Sequence, residues 1–314
     1  MYWLFIVLVI IILIFAFFMW YIFDTAFYNP TRKRNRKVDL GEQYRAVGDK
    51  LDKTRKGVAE ADFESVEITS FDGIKLKGKY YHFNDNAPIE IIFHGYRSNP
   101  ITDCGGGFFL TKQYGCNVLL PDHRGHGESE GKVITFGIKE RYDCLEWVKY
   151  LVKRFGDVKI IISGVSMGAS TVLMASDLDL PENVKGIIAD CGYSSPKEII
   201  LQESAKMGFP EKLSEPFIKL SAKIMAGFDW EETSAVKAVR NSKVPVLIIH
   251  GEDDRFVPCS MSYQIYDACT GPKKLLTVKE AGHGLSYLIE PEQYKSAVND
   301  FKDAVLNDNM GYFE

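Results

Sequence analysis

No CxxC pair and no Cys/His spacing of the structural-zinc type occurs among the six cysteines, at 104, 116, 144, 191, 259 and 269, so neither a metal nor another cofactor is expected. A disulfide framework is not indicated either. Cys259 and Cys269 bracket a predicted helix, which at about 1.5 Å per residue sets them roughly 15 Å apart, too far to pair. The thiols read as free, in a reducing compartment. Also missing is any basic stripe or nucleic-acid module. The net charge of -4 is spread over a mixed surface, which argues against a nucleic-acid partner. The most local absence is of charge itself: residues 1–23, "MYWLFIVLVIIILIFAFFMWYIF", carry none.

About 20 apolar residues suffice to cross a bilayer as a helix, so residues 1–23 are expected to be a transmembrane anchor. Trp3, Trp20 and Tyr21 lie near its ends, where amphipathic rings favour the membrane interface. A cleaved signal peptide would have a basic start, a shorter apolar core and a small-x-small site, none of which is clear here. Five basic residues in six follow at 32–37, "RKRNRK". By the positive-inside rule they place this collar and everything after it in the cytoplasm. Residues 24–61 are expected to be a basic juxtamembrane linker with room for one short helix.

From residue 62 to 314 one domain of strands and helices is expected. "SVEITS" and "IKLKGKYYHF" alternate with period two around an Asp-Gly turn, an antiparallel hairpin. Six apolar runs, at 89–95, 116–122, 158–164, 184–190, 244–251 and 273–279, read as buried parallel strands. Helix-length segments separate them. In the clearest, 137–156, residues Tyr142, Leu145, Val148, Leu151 and Val152 define an apolar face. This is an α/β class chain with an eight-stranded, mostly parallel sheet and helices on both faces. The gap between Asp190 and Val244 is too long for a bare loop, so a helical cap is expected at about 194–242, with Phe217, Leu220, Ile224 and Phe228 on one helical face, most simply as packing.

Polar residues and glycines follow the strand ends: "HGYRSN", "DHRGHGES", "GVSMGA", "HGEDDRFVP" and "EAGHG". In open α/β sheets function gathers at the strands' C-terminal edge. A serine hydroxyl is a weak nucleophile at neutral pH, so it needs an adjacent base, and the base needs a carboxylate to hold its tautomer. Ser166, His283 and Asp254 can fill those roles in that order of chemistry. Gly164 and Gly168 flank Ser166 as in the G-x-S-x-G turn between a strand and a helix.

With those motifs in place, residues 62–308 resemble the α/β-hydrolase superfamily. The likeness is to the esterase, lipase and S33-peptidase group, and to membrane-anchored bacterial hydrolases similar to the Bem46 and ABHD type proteins. The resemblance implies Ser166 as nucleophile, the acid after the seventh strand as Asp254, and His283 as base. Asp253 and Glu252 are adjacent alternatives for the acid. His94, His123, His126 and His250 are competitors for the base that read as structural histidines. It further implies an oxyanion hole from the backbone N–H groups of Tyr96 and Met167. In "DHRGHGES", Asp122, Arg124 and His126 read as loop-organising.

The implied activity is hydrolysis of a small-molecule or lipid carboxylic ester through an acyl-enzyme. A thioesterase and an S33-type aminopeptidase stay open, the latter because Glu203, Glu211, Glu215, Glu231 and Glu232 in the insert could meet a substrate amine. A non-catalytic tethered binding module is the alternative from another class. A serine at the elbow argues against dehalogenase and epoxide-hydrolase relatives, which place aspartate there.

Overall fold

The computed structural model describes residues 2–30 and 41–313. The basic run at 32–37 therefore lies outside the described residues. Eight strands form a single sheet: β1 Glu64–Thr69, β2 Lys75–Tyr81, β3 Ile89–Phe93, β4 Asn117–Pro121, β5 Ile160–Val165, β6 Val184–Asp190, β7 Val246–Gly251 and β8 Lys273–Val278. Their order is β1-β2-β4-β3-β5-β6-β7-β8. β2 runs antiparallel to both neighbours, and β3 to β8 are parallel.

The central strands are continuous apolar runs because both faces are covered. Along β5, Ile160 and Ile162 face one core while Ile161 faces the other. β7 repeats this, with Val246 and Ile248 on the first face and Leu247 and Ile249 on the second. That period of two is the pleat of a strand.

Among the described residues, ten α-helices of five or more residues surround or precede the sheet: α1 Tyr2–Ile22, α2 Glu42–Ala46, α3 Gly48–Ala59, α4 Gly105–Tyr114, α5 Glu140–Phe155, α6 Met167–Ala175, α7 Pro196–Lys206, α8 Glu211–Ser221, α9 Ser260–Ala268 and α10 Pro291–Leu306. α5, α6 and α9 contribute to the first core, and α4 and α10 to the second. In α5 the deepest side chains are Cys144, Trp147, Val148 and Leu151, whereas Tyr142, Leu145 and Val152 are only half-buried. The buried face is thus rotated from the expected one. The Trp147 indole fills the space against the sheet, and buried Asp143 is matched by Arg124 at 2.6 Å, so a charged residue tolerates the same face.

Between β6 and β7 lie α7, α8 with a π-helical continuation Ala222–Ala226, and a single turn Ala235–Ala238. Ser195 caps α7 by accepting from Glu198 N at 3.1 Å, with Pro196 in the first turn. The α8 stripe is corrected by the structure. Leu220 is 37% and Ile224 70% exposed, and the inward face is Ser214, Ile218, Ser221 and Ala222. The expected packing holds for Phe217 and Phe228, which meet Phe18 and Phe27, and fails for Leu220 and Ile224.

The N-terminal helix is not a free rod. Residues 2–14 are exposed, but Met19 is buried, and Ser221 Oγ donates to the Met19 carbonyl at 3.2 Å. Phe18 meets Phe217 edge-on at 5.5 Å, and Phe27 is fully buried between Phe136 and Phe228. Within the stretch read as linker, α2 and α3 form two helices, and buried Val58 of α3 joins Phe108 of α4 in one cluster.

Candidate active site

β5 ends at Val165 and α6 begins at Met167, so Ser166 is the whole of the turn between them. Its backbone has φ 56° and ψ -116°, a conformation a non-glycine residue adopts only under constraint. Ser166 N donates to Asp190 O at 2.8 Å and Ser170 N to Ser166 O at 3.0 Å, and these bonds hold the turn. The flanking glycines serve a purpose other than turning. Neither has a positive φ; a Cβ on Gly164 would sit 2.3 Å from Gly168 C, and one on Gly168 2.2 Å from Phe93 O. They permit strand, helix and the end of β3 to touch.

The loop after β8 carries His283 to this turn. His283 Nε2 lies 2.8 Å from Ser166 Oγ, and His283 Nδ1 lies 2.6 Å from Asp254 Oδ2. Asp254 Oδ1 accepts from Phe256 N and Val257 N, both at 2.8 Å. Burial opposes ionisation of Asp254, but the hydrogen bonds from His250 and His283 outweigh it and hold the carboxyl well below the usual carboxylate range. The acid is therefore ionised at neutral pH. Of the alternatives, Glu252 accepts from Thr277 Oγ1 at 2.8 Å and Asp253 is exposed, so neither takes the place of Asp254 beside the imidazole.

The four competing histidines are placed elsewhere. His250 Nε2 lies 3.1 Å from Asp254 Oδ2 and 2.9 Å from Val257 O, and its Nδ1 lies 2.6 Å from Ser262 Oγ. It braces the acid from behind, a role its position one strand-end away from Asp254 could have suggested. Burial pushes both His94 and His123 down, so each is neutral. His126 Nε2 accepts from Arg97 N at 3.0 Å, and Asp103 Oδ2 accepts from Gly95 N at 2.8 Å. Between them they fix the "HGYRSN" loop. Arg124 bridges Asp143 and Asp72, with Arg124 Nη1 2.7 Å from Asp72 Oδ2, and Asp122 Oδ2 accepts from Glu128 N at 2.9 Å, as expected of loop-organising residues.

Met167 follows Ser166 directly and Tyr96 lines the same cavity as Ser166, and among the described residues neither backbone N–H has a protein acceptor. Ser166 is 8% exposed and opens into a cavity of about 270 Å³. Apolar side chains dominate its walls, among them Phe136, Ile199, Ile200 and Ile218. His283, Asp254 and Cys191 bring ligand-type atoms within 4.8 Å of one another. Both His283 nitrogens are already engaged, and burial pushes the Cys191 thiol well up, so the cluster is a hydrogen-bonded relay rather than a set of free donors.

One contact had no signal in the sequence. The Tyr44 hydroxyl of α2 donates to the His283 backbone carbonyl, and Gln43 Nε2 reaches Asp253 O at 3.4 Å. Burial pushes the Tyr44 phenol well up, so it stays a donor. Tyr44 is a positioning residue for the His283 loop. Tyr44→Phe is expected to lower kcat on an ester about fivefold, the rate equivalent of roughly 1 kcal/mol, while KM holds. Steady-state kinetics that show equal kcat for both proteins would remove that role.

The sheet order, the strand-turn-helix at Ser166 and the cap define an α/β hydrolase, and the chain belongs to the α/β-hydrolase superfamily. Residues 109–223 match the alpha/beta hydrolase fold family. YqkD of Bacillus subtilis (strain 168) is 30% identical over 254 residues, 79% of this chain and 83% of that protein. The Danio rerio protein named lysophosphatidylserine lipase ABHD12 is 26% identical over 204 residues, 62% of this chain and 50% of its own length. Among solved structures, the Pyrococcus furiosus esterase Pf2001 superposes with a TM-score of 0.64 at 24% identity, covering 88% of this chain and 97% of that one. That likeness is one of fold.

Proposed function

We propose that this chain is a membrane-anchored serine hydrolase that cleaves carboxylic esters through Ser166, His283 and Asp254. The observation that carries the reading is the relay from Ser166 Oγ to His283 at 2.8 Å and from His283 to Asp254 at 2.6 Å, set at the floor of an apolar cavity. His283 Nε2 takes the hydroxyl proton as Ser166 Oγ attacks the ester carbonyl. The oxyanion that forms is met by the N–H groups of Met167 and Tyr96, each such donor contributing about 10²–10³ in rate. His283 then returns the proton to the departing alcohol. A water, deprotonated by the same nitrogen, releases the acid and restores Ser166.

The proposed anchor is α1, apolar over its whole length, with residues 24–61 joining it to a hydrolase domain at 62–314 and a cap at about 194–242. On the positive-inside argument the domain faces the cytoplasm. An ester suits the site better than a peptide amine. Of the five candidate glutamates only Glu203 lines the cavity, and it is paired with Lys206 at 2.7 Å. Glu215, Glu231 and Glu232 are engaged by Lys197 and Arg141. ABHD12, named for lysophosphatidylserine, lends a single-chain lipid ester some support as substrate.

The test is labelling by a fluorophosphonate, which reacts only with an activated serine, in parallel with Ser166→Ala. Labelling that vanishes in the variant is expected. Equal labelling, which would place the reactive serine elsewhere, overturns the reading, and no labelling in either protein overturns it in favour of a tethered binding module.

A further inference from the structure

The cavity above Ser166 has an unexpected wall. Phe18, Tyr21 and Ile22 of α1, with Thr25 and Ala26 just beyond, line it together with residues of the cap. The same segment is tied to the loop that carries Tyr96. Tyr96 Oη donates to Ala26 O at 2.7 Å, and Arg97 Nη2 donates to Thr25 O at 2.8 Å and Tyr28 O at 3.2 Å. An inert tether would share neither surface nor hydrogen bonds with the site.

Geometry then constrains where the cap sits. α1 offers 21 residues, Tyr2–Ile22, and crossing a hydrocarbon core of about 30 Å takes about 20 at 1.5 Å each. The stretch Phe15–Met19 must therefore lie within the apolar layer. That stretch is where α8 packs: Phe15 and Phe18 both contact Phe217, at 6.2 and 5.5 Å. Leu213, Leu220 and Ile224 share the helical face of Phe217 and are 68%, 37% and 70% exposed. An outward apolar stripe beside a membrane-spanning helix is explained by lipid and not by a core.

We infer that α8 is embedded in the leaflet on the body's side and that the end of α1 forms part of the acyl site, so that the substrate is a single-chain lipid ester drawn directly from the bilayer. The inference rests on the ester reading above. A cavity of about 270 Å³ is at the small end of ligand pockets and takes one acyl chain in preference to two. Its chain-binding walls and the lipid-facing stripe are adjacent surfaces of the same two helices. The acyl chain thus passes from hydrocarbon to the Ser166 pocket without crossing water, and α1 contributes to chain-length selection.

Two measurements on the full chain in phospholipid vesicles test this. A nitroxide placed by Ile224→Cys should be relaxed by oxygen over a water-soluble nickel chelate, like one at Leu8→Cys; accessibility to nickel like that of a label at exposed Lys153→Cys overturns the embedding of α8. This readout does not depend on catalysis. In the second, Ile22→Trp should lower the ratio of long-chain to butyryl monoacylglycerol turnover about tenfold, the effect of excluding roughly two methylenes. A ratio equal to wild type, in a variant that still labels with fluorophosphonate, overturns the role of α1 in the acyl site. If oxygen relaxation is as expected but wild type shows no Ser166-dependent ester turnover, the ester reading fails and the substrate assignment with it, while the embedding of α8 stands.

Discussion

Replacing Asp254 with asparagine is expected to lower kcat for ester hydrolysis about 10⁴-fold with the fold intact, the loss seen when a triad carboxylate is made an amide. The reason is specific to this site. Asp254 accepts four hydrogen bonds: two backbone amides at Oδ1, and His283 and His250 at Oδ2. An asparagine can keep its oxygen on the two amides, which leaves its NH₂ facing both imidazoles. His283 Nδ1 must then accept, so the proton moves to Nε2 and points at Ser166 Oγ. A base that already carries its proton cannot take another. His250 Nε2 keeps its proton for the Val257 carbonyl at 2.9 Å and loses only the longer, 3.1 Å contact with position 254, so the damage falls on rate more than on folding. Kinetics within tenfold of wild type, with an unchanged melting profile, would show that Asp254 does not hold the base.

Gly168→Ala is expected to cost more than about 4 kcal/mol, a range reached only by a few mechanisms, among them overpacking against atoms that cannot move. The added Cβ would meet Phe93 O at 2.2 Å, Phe93 C at 2.6 Å and His94 O at 2.8 Å. All three are backbone atoms at the end of β3, where the Tyr96 loop begins. No rotamer change relieves them. Relief requires α6 to lift off the sheet, which takes Ser166 with it. Gly48→Ala is the matched control, because nothing lies within 4 Å of its added Cβ and its φ is ordinary; it should be neutral or favour α3 by up to about 1 kcal/mol. Denaturant midpoints of the two variants in detergent decide the matter. Equal midpoints would mean that the helix and strand are not in the contact described.

The contrast between these two glycines shows what the sequence could convey. The parallel strands were legible because a strand covered on both faces is close to continuously apolar, as at 246–249. The meeting of Ser166 and His283 was legible because a serine–histidine pair needs particular residue types at particular strand ends. The acid stayed open between neighbours because three carboxylates in a row differ only in which one the loop turns inward, and that is set by the amides of Phe256 and Val257. Tyr44 left no trace because α2 is short and polar, and its one functional contact joins residues 239 apart in the chain. Leu220 and Ile224 depart from the expected packing because periodicity reports a stripe without saying what covers each part of it.

Phe27 and its neighbours carry a last consequence, for severance of the chain. Phe27 is fully buried, Asn29 Nδ2 donates to Gly125 O at 2.8 Å, Ile134 N donates to Phe27 O at 2.9 Å, and Arg97 holds the carbonyls just before. These bonds lie on the α1 side of residues 31–40. A protease that cut within 31–40 would break the covalent link to α1 and still not separate it from the hydrolase fold, because the two pieces would remain joined as a complemented pair. Release needs the Phe27 pocket emptied, at a cost on the order of 3–5 kcal/mol for a buried phenylalanine.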